Sequence, residues 1–395
     1  MRSAAVRLGA AALLCCAAVA CAGPPGPTPP PGPSGAATGS AGVGSAGGLS
    51  AAAESTGMIW NAVAVESGRV FVAGPRWAGA PGPMLGELGG VRDGAVDHTA
   101  PRPYPDDAWN DWHPGADPAR AFVNINSLRP DGRGGLWVVD TGAPDFGGNP
   151  LPGGAKLVRI NLATNRVSRV VPLGPVVAMA GSYVDDVRFN GDFGYLTDAG
   201  RPGLIVVDLR TGPSATRARR VLDGDPSVTA PPGRPVVLDG RTVLAPDGTP
   251  LKVNADPLEV SPDGATLYFG PLTGPWSQVG TRWLDDPTTP PAVLAAQVRP
   301  WADLPPVGGT ALDAAGDLYF ADLAQDALRC RRPDGQVSTL VRDPRLHWTD
   351  APAIDADRTI WLPVPQLDRV ALFRHGTSAV HRPVQLFRYP LPAHC

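Results

Sequence analysis

Lysine is nearly missing from this 395-residue chain: 32 of its 34 basic residues are arginine. Net charge is only −3, and no basic block stands out. The electrostatic footprint of a nucleic-acid binder is therefore lacking. Cysteine is scarce, with five in all. There is no C-x-x-C and no H-x-x-x-H, so the familiar zinc spacings are absent. There is no G-x-S-x-G either, which removes the nucleophile elbow of the α/β-hydrolases. His98, His113, His347, His375, His381 and His394 show no repeated position and no acid at fixed spacing. No long amphipathic helical pattern occurs, which argues against any helical class.

What is present begins with an address. Arg2 and Arg7 form a basic start, and residues 8–20, LGAAALLCCAAVA, form an apolar run too short to span a bilayer. The run ends in Ala18-Val19-Ala20-Cys21. Small residues before a cysteine suit cleavage with lipidation of Cys21, giving a membrane-anchored lipoprotein. A plain signal cut after Ala20, giving a secreted protein, is the alternative. Residues 22–53 are Gly, Pro, Ala, Ser and Thr with few bulky apolar side chains. Such a stretch cannot bury enough surface to offset its ordering entropy and reads as a tether. The expected organisation is a signal over 1–20, a lipidated Cys21 with tether over 21–53, and a folded domain over 54–395. Cys330 and Cys395 are the cysteines left in that domain, and they are expected to pair in an oxidising compartment.

The folded part repeats itself. LWVVDTG at 136–142 has near-copies GYLTDAG at 194–200, LYFGPLT at 267–273, LYFADLA at 318–324 and IWLPVPQ at 360–366. Each follows another short strand and an Asp/Gly-rich turn, as in NSLRPDGRGGLWVVD at 126–140 and DAPAIDADRTIWLPV at 350–364. With NAVAVESGRVFVAG at 61–74, six such units can be aligned. Most continue into a second hairpin, such as KLVRINLATNRVSRVVPL at 156–173. Four antiparallel strands per unit and six units predict an all-β, six-bladed β-propeller. A pair of β-sandwiches is the weaker alternative, since it needs no sixfold hairpin.

Several of these stretches, in order, resemble the yellow / major royal jelly protein family. They are GPRW (74–77), PYPDDAWNDW (103–112), VNINSLRPDGRGGLWVVDTG (123–142), GSYVDDVRFN (181–190), SPDGATLYFGPLTG (261–274), DPRLHWTDAP (343–352) and WLPVPQLDRVALF (361–373). The resemblance runs from about 58 to 392. It implies a six-bladed propeller. It implies function only loosely, because members include dopachrome isomerase-like proteins, binders of biogenic amines, and storage or signalling proteins.

In a propeller the inner strands start around one mouth of the central channel, and the second strands end beside them. The inner-strand starts offer Asn61, Asn126, Asp185 or Asp186, Asp256, Thr310 and Asp350, and the second-strand ends offer Asp140, Asp198 and Asp322. A ring of carboxylates and amides favours a cation, either an amine or a divalent metal. We therefore expect Asn126, Asp186, Asp256, Asp350, Asp140, Asp198 and Asp322 to form a ligand site. Its expected ligand is a small polar-aromatic molecule or an amine, and no cofactor is required. For Asp140 and Asp198 the competing reading is a turn capped by its own side chain. An isomerase needs only a proton donor and acceptor near an acidic C–H, which this ring could supply. A metal-dependent lactonase of the gluconolactonase type resembles this pattern less. Ala73-Gly74-Pro75-Arg76-Trp77 has Ala where that motif has its metal-binding Glu. A protein-interaction propeller is the third class, and a monomer is expected.

Overall fold

A computed structural model describes residues 48–92, 95–96, 100–210 and 217–395. The expected signal segment and Cys21 lie outside these residues. Six four-stranded antiparallel sheets follow one another along the chain. Their innermost strands are Ala62–Glu66, Ile125–Pro130, Val184–Asn190, Ala255–Val260, Val307–Leu312 and Ala353–Ile354. The repeated motif is the second strand of each blade: Arg69–Ala73, Gly135–Asp140, Phe193–Asp198, Thr266–Pro271, Leu318–Asp322 and Thr359–Val364. The fold is a six-bladed β-propeller.

Its second strands are mostly apolar between their ends because both of their faces are covered. Along Gly135–Asp140, Leu136 and Val138 pack with Phe71 and Ile160 against the first blade. Trp137 and Val139 turn the other way and pack with Leu196 and Ile205 of the third. Alternate residues of one strand thus feed two inter-blade cores, as a side-chain period of two requires. A single blade would leave both faces wet. The outermost strand Arg166–Pro172 is mostly half-buried or exposed and carries Arg and Ser.

The ring closes with a strand from the stretch read as tether. Ser50–Ser55 pairs antiparallel with Val384–Pro390 and becomes the outermost strand of blade six. Ala52 and Ala53 are buried in it, so the propeller starts at Ser50 rather than at residue 54. Small side chains permit this strand, although composition alone marks it as unstructured. Cys330, on the third strand of blade five, is disulfide-bonded to Cys395, with Cα atoms 6.1 Å apart. No helix among the described residues is long and apolar enough to cross a membrane.

Candidate functional site

The inner strands of blades two to five share one irregularity. Their pairing with the second strand shifts register between Ile125 and Ser127, Val184 and Val187, Ala255 and Leu258, and Val307 and Thr310. A bulge of this kind leaves residues outside the ladder and re-aims their side chains. The bulged positions hold Asn126, Asp185 and Asp186, Asp256, and Gly308 with Gly309. Asp350 comes just before the short inner strand of blade six.

Asn126, Asp185, Asp256 and Asp350 line one cavity of about 310 Å³ at the channel mouth. Blade five contributes backbone only. A Cβ on Gly308 would lie 2.2 Å from the Thr349 carbonyl oxygen, so that position admits no side chain as the backbone stands. Loops joining second to third strands reach the same mouth, because second strands end where inner strands begin. They bring Trp77 from blade one, Phe146 from blade two, and Leu367 and Phe373 from blade six. The blade connections add Tyr183 and Trp348, and the insertion before blade four adds Lys252.

The aromatic side chains form a cluster with edge contacts. Trp77 lies 5.2 Å from Phe146 and 5.8 Å from Phe373, centroid to centroid, and Phe146 lies 5.2 Å from Phe373. A chain of hydrogen bonds ties this wall to the acids. Trp77 Nε1 donates to Tyr183 Oη at 2.9 Å, and Tyr183 Oη donates to Asn126 Oδ1 at 2.9 Å. Asn126 Nδ2 then donates to Asp185 Oδ1 at 2.6 Å. Burial pushes the Tyr183 hydroxyl well above its ordinary range, so it stays a neutral donor.

Among the described residues no basic side chain forms an ion pair with the mouth acids. Burial and then their neighbouring carboxylates, Asp186 and Asp350 foremost, raise Asp185 well above the usual carboxylate value. Asp256 is raised well above it too, by burial and then by Asp185 and Asp350. Asp350 is pushed up to about 7, first by burial, although its Oδ1 accepts from Ala351 N at 2.8 Å. Like charges sharing one poorly solvated space disfavour full ionisation, and a bound cation would relieve that. The three carboxylates do not converge to within 4.8 Å of one another, as the oxygens of a chelate would.

The structure separates the other expected residues from this cavity. Asp186 does not line the mouth cavity. It accepts from Ser127 Oγ at 2.6 Å and from Arg188 Nη1 at 2.6 Å. Arg188 also holds Glu259 with bonds of 2.8 and 2.7 Å, and Thr310 Oγ1 donates to Glu259 at 2.8 Å. Residues two apart share a face of a strand, so Asp186 belongs with Arg188. Burial opposes its charge, but Arg188 and Arg129 outweigh that and lower its pKa. Asp185, its neighbour, is the blade-three residue at the mouth.

Asp140, Asp198 and Asp322 do not line the cavity either. Asp140 accepts from the backbone N–H groups of Val123, Asn124 and Gly142 and from Lys156 Nζ at 2.6 Å. Asp198 accepts from the N–H groups of Tyr183, Gly200 and Arg201 and from Arg220 Nη1 at 2.6 Å. Asp322 accepts from Arg329 Nη1 at 3.0 Å. Strand-end position brings these acids near the mouth, but a partner on the third or fourth strand turns each into a clamp. The turn-capping reading of Asp140 and Asp198 is the one the geometry supports.

Trp77, Phe146, Tyr183, Trp348, Lys252 and Phe373 were absent from the expected site. Their common signal is a lone aromatic or base in a Gly/Pro-rich loop after a second strand or before an inner one. Topology sends both kinds of loop to the same mouth.

No curated protein matches the chain in sequence. Solved propellers are similar at low identity. A virginiamycin B lyase from Staphylococcus aureus has 10% identity and a TM-score of 0.49, over 87% of this chain and 99% of that chain. A chain of a nidogen/laminin complex has 12% identity and a TM-score of 0.46, over 83% and 99%. A gluconolactonase from Xanthomonas campestris has 14% identity and a TM-score of 0.41, over 68% and 73%. Values this low carry nothing about the chemistry of the mouth. The sequence itself is more specific. Residues 126–384 match the major royal jelly protein family, a span that holds the bulged Asn126, Asp185 and Asp256 and the mouth acid Asp350, and the chain belongs to that family.

Proposed function

We propose that the protein binds a small aromatic amine in the channel-mouth cavity. The observation that carries this reading is the juxtaposition of an aromatic wall with three carboxylates that form no ion pair among the described residues. An ammonium group would supply the charge that Asp185, Asp256 and Asp350 lack. Its ring would pack against Trp77, Phe146 and Phe373, whose faces also attract cations. The cavity, about 310 Å³, is of a size for a small ligand.

Calorimetric titration with tyramine and with 4-ethylphenol tests this directly. The two share a phenol ring and differ in the ammonium. Tyramine should bind at least about tenfold more tightly, the scale of one charge-assisted hydrogen bond. Equal affinities, or no binding of either, would remove the amine reading.

One observation favours a second reading. With its pKa pushed up to about 7, Asp350 can take and return a proton near neutrality. This supports an isomerase in the same cavity, with Asp350 accepting the proton of an acidic C–H and delivering it elsewhere on the substrate. Decay of dopachrome absorbance that is catalysed by the wild type and lost in Asp350→Asn would favour it. Export is part of the proposal too and rests on the basic start and apolar run of residues 1–20. Mass spectrometry of mature protein distinguishes a lipidated Cys21 from an unmodified one.

A further inference from the structure

Away from the mouth cavity, His347 sits between two carboxylates. Its Nδ1 lies 3.1 Å from Asp326 Oδ1, and its Nε2 lies 2.9 Å from Asp368 Oδ1. The imidazole is 2% exposed and Asp368 is 4% exposed. A neutral imidazole has one donor nitrogen and one acceptor nitrogen. If both acids are ionised, one nitrogen would set its lone pair against an oxygen. The geometry therefore calls for extra positive charge, supplied by a second proton or by a metal ion.

The two sides of the ring differ. On the Nε2 side, Asp368 is committed: it also accepts from Arg374 Nη2 at 2.9 Å. A carboxylate held in that way fixes the tautomer with hydrogen on Nε2 and leaves the Nδ1 lone pair free. That is the supporting partner typical of metal-binding histidines. A second carboxylate, Asp239, stands near Asp326 and the imidazole. A ligand atom of Asp239 lies within 4.8 Å of both the His347 nitrogen and the Asp326 oxygen. Asp239 is 63% exposed, and Arg369 Nη2 approaches it only to 3.7 Å. Such a loose surface pair is surrendered at little cost. Zinc bonds of about 2.0–2.1 Å to nitrogen and oxygen imply tetrahedral edges of roughly 3.3 Å; His347 Nδ1 and Asp326 Oδ1 stand 3.1 Å apart, and exposed Asp239, within 4.8 Å, would close in on the ion.

We propose that Asp239, Asp326 and His347 form a zinc site, with Asp368 orienting the imidazole from behind and solvent completing the shell. The three ligands come from three separate elements. Asp239 is on the turn between Val237–Leu238 and Arg241–Thr242, Asp326 on a turn of blade five, and His347 on the connection to blade six. A cavity of about 390 Å³ borders Asp239 and the supporting Asp368. Asp368 lies between Leu367 and Phe373 in sequence, and His347 precedes Trp348; all three of those neighbours wall the mouth. Zinc here would pin the rim of the mouth to blade five. The inference does not depend on the amine reading.

Chelator-treated full-length protein titrated with zinc chloride, with cobalt(II) as a spectroscopic probe, tests the site. One ion per chain should bind, and cobalt should show the intense visible bands of a tetrahedral site. Asp326→Asn should abolish binding. Asp239→Asn, at an exposed turn, should keep the melting temperature and weaken binding at least about tenfold. Asp368→Asn should cost about 10–100-fold, the usual effect of a supporting partner. Failure of the wild type to take up zinc at micromolar concentration would assign the extra charge to a second proton and overturn the proposal. Wild-type affinity in both Asp239→Asn and Asp326→Asn would overturn it too, by placing the ion elsewhere.

Discussion

Two sets of aspartates lie near the same end of this propeller and meet opposite fates. Asp140 and Asp198, at the ends of second strands, are fully buried, and Lys156 and Arg220 neutralise them at 2.6 Å. Asp185, Asp256 and Asp350, on or before inner strands, face a shared cavity that Lys252 also lines, and none of them forms an ion pair among the described residues. The first set spends its charge inside the fold, whereas the second keeps it for something from outside. A carboxylate repeated from blade to blade is thus not one feature. Its role follows from whether the third or fourth strand supplies a base.

Breaking a clamp should have the largest effect. Asp140→Ala leaves Lys156, 1% exposed, without its counter-charge. The loss should be about 3–5 kcal/mol of stability, measured by denaturant unfolding. A change below about 1 kcal/mol would mean that the carbonyls of Pro118, Ala121 and Gly154, which also accept from Lys156 Nζ, suffice alone. The matching change at the mouth should behave in the opposite way. Asp256→Asn should leave stability unchanged or higher, because it removes a like charge. Its tyramine affinity should fall by about 1.5–3 kcal/mol, the range for a hydrogen bond to a charged group.

The pH dependence sharpens the contrast. Asp350 has its folded pKa raised from 3.8 to about 7. Between those values the folded state holds more protons than the unfolded state, so this group's stabilisation is complete below about 4. It is lost as pH rises through about 7. Ionised Asp350 attracts an ammonium, so tyramine affinity should rise over that same interval while stability falls. Asp350→Asn should flatten both curves in titrations from pH 5 to 8. An unchanged profile would take Asp350 out of the site. The smallest effect is expected from Tyr183→Phe, which cuts the link between Trp77 and Asn126. A net loss of about 0.5–1.5 kcal/mol in tyramine binding should follow.

The blade motif was legible in the sequence because it is local. LWVVDTG and its copies carry strand, turn and burial in a few residues, and their number gives the blade count. The strand Ser50–Ser55 was not legible, since Ala and Ser do not announce a strand and its partner lies more than 300 residues away. Of the mouth acids, Asp256 and Asp350 stand out in the sequence, but the same reasoning takes Asp186 where the structure places Asp185 and adds the clamped Asp140, Asp198 and Asp322. A bulge decides which of two adjacent residues turns to the mouth, and no periodicity reports a bulge. The aromatic wall was hidden for a related reason. Trp77, Phe146 and Phe373 are far apart in sequence and meet only through ring closure.

Replacing all three mouth acids at once is the most direct test. The triple variant Asp185→Asn, Asp256→Asn, Asp350→Asn should be titrated with tyramine and 4-ethylphenol at pH 8, with its melting temperature taken alongside. It should melt at or above the wild-type temperature and bind both phenols equally. A variant that still preferred tyramine, or that unfolded as Asp140→Ala is expected to, would show that the mouth acids do not hold their charge for a ligand.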